Sequence, residues 1–169
     1  MKASWKINNP TLNPLAGSLQ IWDQPTQVLC KLLIVGAKAA IPYLTQEVAG
    51  LAQTGWILEG ERVHPELVKS LHESGRARGF FIVETDAERL HTTLLTRLPG
   101  FGELLKSRQR AVAEVDRLYN LWLLTETARL GLPCVPSHPW GTLASRILEL
   151  VGELAAKNRR TASARIERQ

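Results

Sequence analysis

Apolar residues recur at spacings of three and four from Val28, through Leu29, Leu32, Val35 and Ala39, and so lay a stripe along a helix that starts after Asp23 with Pro25 in its first turn. Pro42 brings no backbone donor, so a kink or break is expected there. The pattern resumes at Tyr43, Leu44, Val48 and Leu51, and Gly55 supplies a stop. Trp56-Ile57-Leu58 then reads as a short buried strand whose carboxyl end carries Glu59-Gly60-Glu61. The rhythm repeats with a helix from Pro65 to about Ser74, Gly79, and a second apolar run, Phe80 to Val83. Thr85 or Asp86 is placed to cap the next helix, striped by Leu90, Leu94 and Leu95 and closed at Pro99-Gly100. A loop from Leu98 to Gly102 leads to a long helix over about 104–130, with Val112, Val115, Leu118, Tyr119, Trp122 and Leu123 on one side and Gly131 at its end. Leu132 to Pro136 reads as a third short strand, and Leu143 to Leu154 as a last amphipathic helix.

Strands separated by helices of ten or more residues imply βαβ units, hence a parallel sheet covered on both faces. The expected class is α/β, a three-layer α/β/α arrangement around a small parallel sheet. Residues 1–21, broken by Asn9-Pro10, Asn13-Pro14 and Gly17-Ser18, read as an irregular lead-in, 22–154 as the α/β domain and 155–169 as a basic polar tail. In such folds ligands bind beyond the carboxyl ends of the strands, which directs attention to Glu59 and Glu61, to Glu84 through Asp86, and to Ser137-His138.

Charge adds little to this picture once it is located. The net charge of the 169 residues is +5. From Lys157 onward five bases face one acid, a net of +4, which leaves the body at +1. That tail has no aromatic residue interleaved for base stacking, so it reads as a solvated terminus rather than a nucleic-acid arm. Neither a run of about 18 uninterrupted apolar residues nor a secretory leader stands out, so a cytoplasmic protein without a membrane span is expected. Cys30 and Cys134 have neither CxxC spacing nor a histidine cluster, and are expected as reduced thiols with no metal.

Candidate chemistry is sparse. Glu59 and Glu61 at a strand end suit either a substrate hydroxyl or hydrated Mg²⁺, or a solvated turn. His64, before Pro65, suits an anion contact or a helix cap. Arg97, Arg108, Arg110 and Arg117 flank the Pro99 to Gly102 loop, where guanidinium groups meet phosphates or pair with Glu103 and Glu114 on an exposed face. Ser137 and His138 with a carboxylate have the composition of a nucleophilic triad, but no GxSxG elbow occurs. No glycine opens a GxxxxGK[ST] phosphate loop, and no GxGxxG occurs.

The run Trp56 to Pro65 (WILEGERVHP) resembles the P-loop small-molecule kinases, including 2-phosphoglycerate kinase-like proteins, where an apolar strand ends in Glu-Gly and a His and Pro follow. Phe80 to Glu84 with Asp86, Glu88 and Arg89 resembles that family's next strand and helix. Arg97 to Leu104 resembles its lid, Asp116 to Trp122 and Gly131 to Val135 its long helix and last strand, and Pro139-Trp140-Gly141-Thr142-Leu143 with Arg146-Ile147 the element beside its adenine site. The likeness covers roughly residues 22–152. It implies a P-loop NTPase-like fold and an ATP-dependent phosphotransferase acting on a small hydroxyl-bearing metabolite with Mg²⁺. Glu59 and Arg97 would be catalytic, and Arg97, Arg108 and Trp140 would bind nucleotide. Where the family has its first strand and phosphate loop, this chain has MKASWKINNPTLNPLAGS. That implies a truncated chain, without the amides, lysine and hydroxyl that stabilise a transferring phosphoryl group. The alternative expectation is a non-catalytic homo-oligomeric module, or a fragment completed by another chain.

Overall fold

The structure is a computed structural model that describes residues 21, 23–51, 55, 57–60 and 63–166, with side chains to residue 154. The lead-in over 1–20, together with Trp56, Glu61 and the side chains of the basic tail, lies outside the described residues. Among the described residues six helices and two strands follow in the order α1 (Thr26–Ala39), α2 (Ile41–Gly50), α3 (Pro65–Glu73), β1 (Phe81–Val83), α4 (Ala87–Arg97), α5 (Lys106–Leu130), β2 (Cys134–Pro136) and α6 (Trp140–Ile166). A short 3-10 turn, Phe101–Glu103, fills the loop between α4 and α5.

Local sequence explains most boundaries. Pro25 precedes α1, and Ala40 separates it from α2, with Pro42 in the first turn of the second helix. Asp86 caps α4 by accepting from the backbone amides of Glu88 and Arg89, both at 3.0 Å. Gly131 ends α5 at φ 66°, the left-handed conformation that glycine adopts without penalty. Helix α6 runs past the expected end at Leu154 to Ile166, because no proline or glycine follows Gly152 and the residues beyond are rich in alanine, lysine and arginine.

β1 and β2 pair in parallel, with Phe81 opposite Cys134, Ile82 opposite Val135 and Val83 opposite Pro136. The long crossover of α4 and α5 between them is what parallel pairing requires. Helix α5 is the organising element: it packs against α1, α3, α4 and β1. Its Tyr119 and Leu123 join Cys30, Val68, Phe81, Val83 and Leu132 in one buried cluster. Val115 is buried as well, so the apolar side read from the sequence is the side that faces the core. Gly79 lets the chain enter β1 against α3, since a Cβ there would stand 2.6 Å from Val68 Cγ1.

Two expectations are corrected. Ile57 and Leu58 are not in a strand; Ile57 is 94% exposed, while Leu58 packs against Val48, Leu67 and Leu71 between α2 and α3. An apolar run of three residues with no neighbouring strand to satisfy its backbone gains more by burying one side chain in a helix-helix crevice. The sheet among the described residues therefore has two strands rather than three. Ile82 is 45% exposed, whereas Val135, opposite it in the register and on the same face of the sheet, is buried. The result is a mostly helical α/β domain with a small parallel sheet.

The segment Thr26–Gly50 is long and apolar enough to cross a membrane, with a mean hydropathy of 1.6 and a third of its span buried inside the fold. Its buried positions Leu29, Cys30, Ala37, Ala40 and Val48 form an inner face, and α1 packs against α5.

Candidate functional site

Each strand hands the chain on to a polar residue at its carboxyl end. Glu84 follows β1, Ser137 and His138 follow β2, and parallel pairing brings the two ends together. The amide of Ser137 donates to the carbonyl of Val83 at 2.8 Å, which carries the pairing one step past β2. On that base the Ser137 hydroxyl donates to Glu84 Oε2 at 2.6 Å, and His138 Nδ1 lies 2.5 Å from the same oxygen. The second carboxylate oxygen, Oε1, accepts the Asp86 amide at 3.0 Å.

These contacts fix the imidazole. An ionised carboxylate only accepts, so His138 Nδ1 carries the hydrogen, and in the neutral ring Nε2 is left as the basic nitrogen. Ser137 Oγ, 3.0 Å from Nδ1, has its own proton directed at Glu84 and takes a minor share of the Nδ1 hydrogen. Among the described residues no side chain or carbonyl occupies Nε2. Burial pushes the Glu84 carboxyl up, but hydrogen bonds from Ser137, the Asp86 amide and His138 outweigh it and hold the group below the usual carboxylate range. Glu84 thus stays ionised behind the ring.

The surroundings hold this pair in place. The Glu84 amide donates to Asn120 Oδ1 at 3.0 Å, and Asn120 Nδ2 donates to the Asp116 carbonyl at 2.8 Å, which ties the end of β1 to α5. Arg146 donates to the carbonyls of Pro136 at 2.6 Å and Pro139 at 3.0 Å, clamping both shoulders of Ser137-His138. The peptide between His138 and Pro139 is cis. Trp140 meets the His138 ring edge-on at 5.5 Å, and the guanidinium carbon of Arg97 sits 5.3 Å from the Trp140 ring.

An open groove of about 430 Å³ runs alongside, floored by the cap residue Asp86 and by Glu88, Arg89, Thr92 and Thr96 of α4 and walled by His138 and Trp140. It therefore lies beyond the carboxyl ends of the parallel strands, the place where such sheets bind ligands. Its chemistry is mixed: a basic nitrogen, an aromatic wall, the guanidinium of Arg89, the carboxylates of Asp86 and Glu88, and a row of threonine hydroxyls.

Of the residues singled out from the sequence, Trp140 lines the groove, and Arg97 does not line it but stacks near the Trp140 ring. Glu59 is exposed in the connection between α2 and α3 and does not line the groove; the strand that was to aim it does not form. Arg108, half-buried in the first turn of α5, does not line it either. Arg117 pairs with Glu114 at 2.7 Å, the exposed-face reading of that arginine. His64 is 2% exposed and caps α3, its Nδ1 accepting from the Glu66 amide at 3.1 Å, so the capping reading holds. A Ser-His-carboxylate triad is not built: serine and carboxylate both approach Nδ1, whereas a triad needs the serine on Nε2. Asn120 and Arg146 were not expected; nothing local marks a helix residue that steadies a strand end 36 positions away.

The residues present do not fit Mg²⁺ and ATP as the resemblance implies. No group of three or more His, Cys, Asp or Glu side chains that could hold a metal occurs among the described residues. Asp86 is engaged in capping α4, and Glu84 already accepts three hydrogen bonds. The sequence has no GxxxxGK[ST] motif from which a triphosphate-cradling loop is built. No family model, no curated protein and no solved structure matches the chain.

Proposed function

We propose that the groove binds a small, hydroxyl-bearing, anionic metabolite, with His138 as the group that takes or returns the hydroxyl proton. The observation that supports this most is the 2.5 Å contact of His138 Nδ1 with Glu84 at the mouth of a groove beyond two parallel strands. A hydroxyl placed against Nε2 transfers its proton to the ring, and the ionised Glu84 stabilises the imidazolium that forms. Arg89, on the groove floor beside Asp86, and Arg97, against the Trp140 ring, are the counter-charges for an acidic substituent, set against the lining carboxylates of Asp86 and Glu88. Trp140 supplies an apolar wall that fixes orientation.

This corresponds to the substrate side of the small-molecule phosphotransferase implied by the resemblance to P-loop kinase-like proteins, in a chain with that ancestry. The parallel strands and their helical crossover support that ancestry. A second reading, binding without turnover, is favoured by the missing phosphate loop.

Isothermal titration with glycerate, 2-phosphoglycerate and ATP, each with and without Mg²⁺, tests the proposal. The expected result is micromolar to millimolar binding of a hydroxy acid or its phosphate, weakened about tenfold or more by His138→Ala and by Arg97→Ala. Equal affinity in His138→Ala would remove the histidine from the site. Binding without ADP release in a coupled assay selects the second reading.

A further inference from the structure

The turn between α4 and α5 breaks a local rule. Leu105 stands at the N-cap of α5, a position that favours Ser, Thr, Asp or Asn because a side-chain oxygen there satisfies a free amide; leucine is among the poorest choices. It makes no cap and leaves its side chain 78% exposed. Leu98, the C-cap of α4, is 48% exposed. The two helices pack against each other, so residues 98–105 form the tip of a helical hairpin with a leucine at each shoulder. The tip is pinned from below: Phe101 is buried, and Gln109 Nε2 donates to the carbonyls of Gly102 and Leu104. A set turn therefore presents both leucines outward.

Bases surround these leucines. Lys106 and Arg110, one turn apart on α5, are exposed and have no ionic partner among the described residues. With Arg108 they give residues 98–110 three bases against the single acid Glu103, a net of +2, whereas the chain before Lys157 totals +1 and its remainder therefore nets −1. The positive end of the α5 dipole opens at the same point, with no acid in its first turn. We infer that this tip docks on an anionic lipid surface, Leu98 and Leu105 entering the boundary between headgroups and acyl chains while Lys106 and Arg110 meet lipid phosphates. Charge complementarity selects this occupant. A second copy presents the same positive tip and is repelled. A helix of an acidic partner needs an apolar groove, and Phe101, the large apolar residue of the loop, is 1% exposed and supplies no floor for one.

Two leucines and a few bases make a reversible contact, in which each base near the surface contributes about fivefold in affinity. The contact uses none of the groove residues. Arg97, at the end of α4, faces Trp140 instead, so docking is independent of how the groove is read.

Co-sedimentation of the full chain with phosphatidylcholine vesicles, with and without phosphatidylserine, tests it. The expected result is binding to the anionic vesicles alone, falling as salt rises from about 0.1 to about 0.5 M. Leu98→Ser/Leu105→Ser weakens it about tenfold or more, as does Lys106→Glu/Arg110→Glu, and Glu103→Gln tightens it. Serine is a preferred N-cap, so Leu105→Ser strengthens the start of α5, and a thermal melt at or above the wild-type midpoint separates lost docking from lost folding. Equal binding to pure phosphatidylcholine overturns the inference, as does no binding to either vesicle. Binding that survives both double variants assigns the attraction to the bases from Lys157 onward and overturns it as well. A chain that ignores vesicles but binds poly-L-glutamate through Lys106 and Arg110 assigns the tip to an acidic protein and overturns it too.

Discussion

His138 Nδ1 stands 2.5 Å from Glu84 Oε2, although 54 residues separate the two in sequence. The contact exists because β1 and β2 run parallel and stop at the same level, so the residues that leave them are delivered to one point. The groove beside them owes its basic nitrogen to this pairing.

Glu84 couples that geometry to acid stability. Its folded carboxyl is depressed, so its contribution is full above the unfolded carboxylate range near ~4.3 and is lost as pH falls through the folded value. Glu84→Gln is expected to cost about 1–3 kcal/mol at neutral pH, because the replacement amide has a single acceptor oxygen and cannot serve both the Ser137-His138 pair and the Asp86 amide. It should also flatten the stability profile below about pH 4. Urea melts from pH 3 to 7 check both; an unchanged acid limb in Glu84→Gln would mean that the carboxylate is not the titrating group.

His64 acts in a different window. Burial lowers its proton affinity, Lys38 adds to that, and Glu66 and Glu126 oppose it. The ring is neutral in the fold, as its role of accepting from the Glu66 amide requires. A lowered folded value means that the unfolded chain takes up the proton first, so stability falls as pH drops below about 6.5. His64→Asn keeps a cap and should lose that slope. His64→Ala should lose the slope and about 1 kcal/mol of cap besides. Melting curves between pH 7.5 and 5.5 distinguish these outcomes.

Gln109 is buried, and its amide donates to the carbonyls of Gly102 at 3.2 Å and Leu104 at 2.8 Å. Its Oε1 is therefore an acceptor, and His91 Nε2, 3.0 Å away, carries the hydrogen. Gln109→Leu should cost about 1–3 kcal/mol and speed amide exchange across 101–104, where two carbonyls lose a partner, as does His91 on α4. Exchange unchanged in that loop would show that Phe101, buried beneath it, holds the turn unaided.

Gly79 tests the packing of β1 on α3. Gly79→Ala puts a methyl group 2.6 Å from Val68 Cγ1, and valine has little rotamer freedom with which to move aside. A loss of about 1–3 kcal/mol is expected, with part recovered in Gly79→Ala/Val68→Ala. Additive losses in the double variant would contradict the close approach.

Much of the helical framework was legible in the sequence, because caps and breakers are local signals. Asp86 before a leucine stripe, Gly131 after a long one, and Val115, Tyr119 and Leu123 four residues apart all mark their elements without help from the rest of the chain. The strands were legible only as apolar runs. Phe81 to Val83 and Cys134 to Pro136 found each other; Ile57 and Leu58 read the same way, yet found no strand to pair with. A run of three residues does not encode its partner, and this is why Glu59 was misplaced. At the groove, Trp140 and Arg97 were singled out through a resemblance, and Ser137, His138 and Glu84 by their position after strands. The bond between Glu84 and His138 depends on register, and the clamp of Arg146 on Pro136 and Pro139 depends on a turn that no local pattern announces.

The arrangement of Glu84 and His138 is most directly tested by the tautomer of the His138 imidazole, read from long-range ¹H–¹⁵N correlations of the ¹⁵N-histidine-labelled chain at alkaline pH. The expected spectrum has Nδ1 protonated and Nε2 bare, and the preference is lost in Glu84→Gln. A ring protonated at Nε2 in the wild-type chain would contradict the account, since the nitrogen facing the groove would then have no lone pair to accept a substrate proton.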